Sequence, residues 1–127
     1  MNETKDREIR REAERRLAQE VGRVLTRRDD ESLQWQGTSI DLMEALHISF
    51  TTGCLHDSNG QYLSFIDIVE EVCRVLHQPV PRNPYECAAR GSRRKGMQSR
   101  PYLDRYIYML SQQPDRCPLW EQICQKS

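Results

Sequence analysis

The sequence predicts a mainly α fold, a helical bundle in helix-turn-helix layout with at most a short β-hairpin. Three observations point there. Apolar residues recur at spacings of three and four through most of the chain. Capping residues precede these runs, with glycine or proline behind them. Charged residues make up 30% of the chain and aromatics 7%, which suits helices better than a strand sandwich. With 127 residues, the chain is one domain, or one domain with an appended arm, able to bury roughly two thirds of its unfolded surface. The natural division is residues 1–31, a charged amphipathic helix, and residues 32–127, the main domain with a C-terminal capping tail.

From Lys5 to Arg28, Ile9, Ala13, Leu17, Val21, Val24 and Leu25 form one apolar stripe. Glu8, Glu12 and Glu20 lie three or four residues from arginines, so the polar face reads as solvated and internally neutral. The four-residue steps drift around the helix and do not hold a heptad seam. Packing on the domain is therefore expected over a coiled coil, with a homodimer through this helix as the alternative. Leu33 to Gln36 alternates apolar and polar and predicts a short strand or extended lead-in, which makes Trp35 a core candidate.

Thr38 stands three residues before Asp41, an arrangement that satisfies free amides at a helix start. Ile40, Leu42, Met43, Ala45, Leu46 and Phe50 follow, predicting a helix over 39–52 with Gly53 as its stop. His56 to Gly60 is a turn, and Gln61-Tyr62-Leu63 reads as a short strand. Ser64 caps a helix whose wide apolar face, Phe65 to Leu76, marks it as the central helix of the core. Pro79 and Pro81 end it, and a third helical pattern starts near Asn83 with Pro84 in its first turn. Tyr85, Cys87, Ala88 and Ala89 are its expected buried face. A helix, a turn and a second, arginine-rich helix is the helix-turn-helix layout, whose second helix can enter a major groove. The last main helix is predicted over 100–112, burying Tyr102, Leu103, Tyr106, Ile107 and Leu110, with Leu119, Trp120 and Ile123 covering an edge of the core.

Charge is the most informative functional signal. The net charge is zero, yet Arg82 to Arg105 holds seven basic residues against two acidic ones, and Ser32 to Pro81 six acidic against one basic. One face should be positive. The grouping of Arg90, Arg93, Arg94 and Lys95, with Arg82 and Arg100 on either side, suits repeated phosphate contact with double-stranded DNA better than capture of one small anion.

Other classes are disfavoured. No apolar run approaches a membrane span, and Met1 to Arg11 lacks the apolar core of a secretory signal, so a cytoplasmic protein is expected. The five cysteines lack Cys-x-x-Cys spacing, and His47, His56 and His77 lack metal-ligand spacing. There is no Gly-rich phosphate loop, Gly-x-Ser-x-Gly or His-Glu-x-x-His. Neither catalysis nor a cofactor or metal is expected.

The order Trp35-Gln36-Gly37-Thr38, Asp41-Leu42-Met43-Glu44-Ala45-Leu46, Asn59-Gly60, Phe65-Ile66-Asp67-Ile68, Ser92-Arg93-Arg94-Lys95 and Tyr102-Leu103-Asp104 resembles the carboxy-terminal half of the RteC family, from Leu33 to Leu110. Members are winged-helix DNA-binding activators that regulate excision of conjugative transposons. The resemblance implies a winged-helix-like domain over 32–127 and a promoter-binding regulator linked to a mobile conjugative element, with the helix of Arg90, Arg93, Arg94 and Lys95 near the DNA. Two departures stand out: relatives have a longer amino-terminal half, and Gly91 interrupts the third helix, which suggests a shorter recognition helix. The rival reading is a non-catalytic interaction domain that kept the fold and binds a regulatory protein.

Overall fold

In the computed structural model, which describes residues 3–94 and 100–125, five helices and two short strands share one core. They run α1 (Glu3–Leu25), β1 (Leu33–Trp35), α2 (Ser39–Thr51), α3 (Phe65–Val75), α4 (Pro84–Ser92), α5 (Tyr102–Gln112) and β2 (Ile123–Gln125), with a 3-10 turn at Trp120–Gln122 just before β2. The helix starts follow local chemistry. Thr38 Oγ1 accepts from the Asp41 amide at 3.1 Å, Ser64 Oγ from Asp67 at 3.0 Å, and Asn83 Oδ1 from Glu86 at 3.1 Å. Each satisfies a donor that the helix itself cannot. Gly53, with φ of 70°, turns the chain away after α2. α3 stops before its prolines, where His77 adopts a φ of 56° and its Nδ1 lies 2.7 Å from the Leu33 carbonyl oxygen. In place of the strand expected at Gln61–Leu63, a single bridge joins His56 to Tyr62.

The central helix is α2, not α3. α2 packs against α1, α3, α4 and α5, whereas α3 meets α1 and α2. The wide apolar face of α3 is one-sided: it buries Phe65, Ile68, Val69, Val72, Cys73 and Val75 and leaves Glu70 and Arg74 exposed. α2 buries Leu42, Met43, Ala45 and Leu46 together with Asp41, Glu44 and Ser49, as a helix covered on most sides must. Its two acids disguise that position in the sequence. Complete burial of a side chain such as Leu46 or Phe65 contributes about 1.5–3 kcal/mol. Burial among these apolar neighbours pushes the Cys73 thiol up to about 11.

α1 joins the same core through Ala13, Leu17, Val21 and Val24. Glu20, expected on its solvated face, is instead buried. It accepts from the Tyr106 hydroxyl at 2.6 Å and the Trp120 amide at 3.0 Å, while the Glu20 carbonyl accepts from Trp120 Nε1 at 2.9 Å. Arg16 donates to the Pro114 and Arg116 carbonyls, and the Arg23 guanidinium lies 4.6 Å from the centre of the Trp120 ring. The tail therefore closes over α1 through polar anchors as well as through buried Leu119. It then pairs antiparallel with β1, Leu33 opposite Gln125 and Trp35 opposite Ile123. This strand pair joins two distant parts of the chain, and β2 has no strong pattern of its own. Among the described residues, no helix is long and apolar enough to cross a membrane.

Candidate nucleic-acid interface

α4 is short, and its packing on α2 decides what it can present. Pro84, Ala88 and Gly91 form its buried side; Tyr85, expected in that set, is half exposed and rests on Phe65 with ring centres 4.7 Å apart. The reason is close approach. A Cβ on Gly91 would lie 2.7 Å from Glu44 Oε1 and 2.9 Å from Ile40 Cγ2, so glycine permits the contact with α2. Gly91 is thus a packing requirement within α4, not an interruption of it.

The six cations expected to contact DNA divide by environment. Arg82, before α4, and Arg90, on its outer side, are exposed and form no ion pair among the described residues. Arg93 is exposed at the end of α4, with its guanidinium 3.0 Å from Glu86 Oε1, a surface pair of the kind that contributes little and yields readily to a competing anion. Arg100 is also exposed. Lys95 lies outside the described residues.

Arg94 differs from the exposed cations in being turned toward α2. Its side chain is 23% exposed and its Nη2 lies 2.9 Å from Asp41 Oδ1 and 3.9 Å from Glu44 Oε1. The same Asp41 oxygen accepts from Arg105 at 2.5 Å, and Arg105 Nε donates to the Arg100 carbonyl at 3.2 Å. Two of the seven cations between Arg82 and Arg105 therefore share one carboxylate of α2, which cancels one of their two charges, and the face offered to solvent is less positive than the linear count implies. Asp41 serves the start of α2 through its amide alone; its carboxylate turns to the arginines.

Glu44, one helical turn further along α2, accepts from the Leu103 amide at 3.2 Å through Oε2. α5 begins after Pro101 without a side-chain cap of its own, so an acid from another helix meets its free amides and the positive end of its dipole. Burial pushes the Glu44 carboxyl above its ordinary value, opposed by the Tyr102 and Leu103 amides and by Arg94. Burial likewise pushes up the Tyr102 phenol, whose hydroxyl has no partner among the described residues. Neither Asp41, Glu44 nor Arg105 was singled out as functional by sequence reasoning. The available signal was two acids three positions apart, hence on one face, inside an otherwise apolar helix.

The buried acids set a pH dependence. Burial raises Glu20 as well, against the Tyr106 hydroxyl and the Trp120 and Leu119 amides. A carboxyl whose folded value exceeds its unfolded one binds its proton more tightly in the folded state, so its stabilising contribution is present below the ordinary value of 4.5 and lost as pH rises through the folded value. Asp30, Glu71 and Glu121 are shifted the opposite way by hydrogen bonds and cancel when two variants are compared. The stability of the parent relative to a Glu20→Gln, Glu44→Gln variant is therefore expected to fall as pH rises above the ordinary carboxyl value of 4.5 and to level off once both folded carboxyls have ionised. Urea midpoints of both proteins measure it, and a constant difference would contradict this account.

No protein-family model, curated protein or solved structure matches the chain.

Proposed function

We propose that this chain is a non-catalytic, cytoplasmic DNA-binding module of a transcription regulator, with α4 facing the duplex in a winged-helix-like manner. The proposal follows the RteC-like motif order, including the link to a mobile conjugative element. The observation that supports it most is the division of α4. One side is apolar and seated on α2, while Arg90 and Arg93 on the other, with Arg82 before the helix and Arg100 ahead of α5, are exposed. Arg94 and Arg105 share Asp41, which links the end of α4 to the start of α5, where Arg100 stands.

Each phosphate neutralised contributes about 0.9 to the slope of log affinity against log salt. Replacing Arg90 and Arg93 together with alanine is expected to weaken binding to random duplex and reduce that slope by about 2. Arg94→Ala is a poor probe, since it also strips a partner from Asp41. Anisotropy titrations of labelled random duplex at two salt concentrations provide the test. Absence of binding by the parent at low salt, or an unchanged slope in the variant, overturns the proposal.

One observation favours the rival, a protein-interaction domain. A groove of about 460 Å³ runs between α2 and α4, lined by His47, Ile48, Asn83, Tyr85, Ala89 and Ser92, with Tyr85 50% exposed at its side. A module using that groove leaves random duplex unbound at modest salt, so the same titrations separate the two.

A further inference from the structure

We infer that Asp41 is a positioning residue for the basic face, holding the end of α4 and the start of α5 in one geometry. The part concerning DNA rests on the reading just proposed. Asp41 Oδ1 is the shared acceptor of Arg94, two residues beyond α4, and Arg105, in the first turn of α5. Arg105 extends the link to the Arg100 backbone, and Glu44 from the same helix holds the Leu103 amide. Asp41 is itself fixed: its amide is bonded to Thr38, and its side chain is 12% exposed. The two arginine side chains are unequally exposed, at 23% for Arg94 and 40% for Arg105. Arg94 Nε has no partner among the described residues, so Asp41 supplies most of what holds that group in place. A carboxylate beneath two arginines sets where the neighbouring exposed cations, Arg93 and Arg100, stand relative to each other.

The sign of the effect distinguishes positioning from charge. Asp41→Asn makes the protein more positive by one, so attraction to phosphates alone predicts tighter duplex binding. Positioning predicts the reverse: about fivefold weaker binding to random duplex, the size expected when one member of a coupled ion network is lost. It also predicts amide exchange at Leu103 and Arg105 at least about tenfold faster, with amides in α1 and α3 unchanged.

The experiment measures both quantities on the full chain, with far-ultraviolet circular dichroism confirming that Asp41→Asn remains folded. Weaker binding with faster local exchange supports the inference; equal or tighter binding, or unchanged exchange, overturns it. If Asp41→Asn does not fold, Arg105→Gln breaks the same link from its more exposed side, and the Leu103 exchange rate decides in the same way. A parent that binds no duplex removes the DNA reading, while exchange still decides whether Asp41 clamps α4 to α5.

Discussion

Trp35→Ala is expected to lower the unfolding free energy by about 3–5 kcal/mol, the cost of truncating a buried tryptophan. The ring is 4% exposed and its Nε1 donates to the Thr38 carbonyl at 2.9 Å. Its six-membered edge lies directly over Gly37, where an added Cβ would come within 2.7 Å. The backbone around it joins three parts of the chain: the Trp35 amide donates to Leu76, and Trp35 pairs with Ile123 across the strand ribbon. The substitution therefore opens a cavity where α3, the start of α2 and the tail converge. A thermal melt should show a midpoint lower by on the order of 10 °C or more. A shift below about 2 °C would mean that the ring contributes little to the core.

Gly91 yields the second large effect, and helix propensity alone gives it the wrong sign. In an exposed helix, Gly→Ala stabilises by about 1 kcal/mol. Here the new methyl would meet Glu44 Oε1 at 2.7 Å and Ile40 Cγ2 at 2.9 Å, with Arg94 Nη2 at 3.2 Å. Glu44 cannot simply swing away, because its other oxygen holds the Leu103 amide. Gly91→Ala is expected to destabilise, and Gly91→Val to cost about 2–3 kcal/mol, in the range of overpacked cores. Because α4 must rise from α2, the damage should extend to Arg94 and the α5 start. Denaturant midpoints of the two variants test this, and a Gly91→Ala protein more stable than the parent would refute it.

These effects show where sequence reasoning stops. Thr38 and Ser64 could be read as caps because the amides they serve lie three residues away, and Pro84 marked the start of α4, whereas the Asn83 cap emerged only from the structure. Gly91 could not be read correctly, because what it accommodates is a carboxylate 47 positions earlier in the chain. Glu20 has arginines nearby in sequence, as an exposed helical acid should, yet Tyr106 and Trp120 are its partners at separations of 86 and 100 residues. The strand pair was half visible: β1 alternates, whereas β2 forms by meeting β1.

By itself, the sequence determined the helical class, the capped starts of α2 and α3, the proline start of α4, and the contrast between an acidic middle and a basic segment. Those properties reside in residue types and spacings of three or four. Tertiary structure alone decided that α2 is central, that the tail is pinned to α1, and which cations face solvent. The physical reason is that an ion pair depends on distance in space. Asp41 and Glu44, 53 and 50 positions from Arg94 in the chain, become its neighbours when α4 packs on α2, leaving Arg82, Arg90, Arg93 and Arg100 exposed.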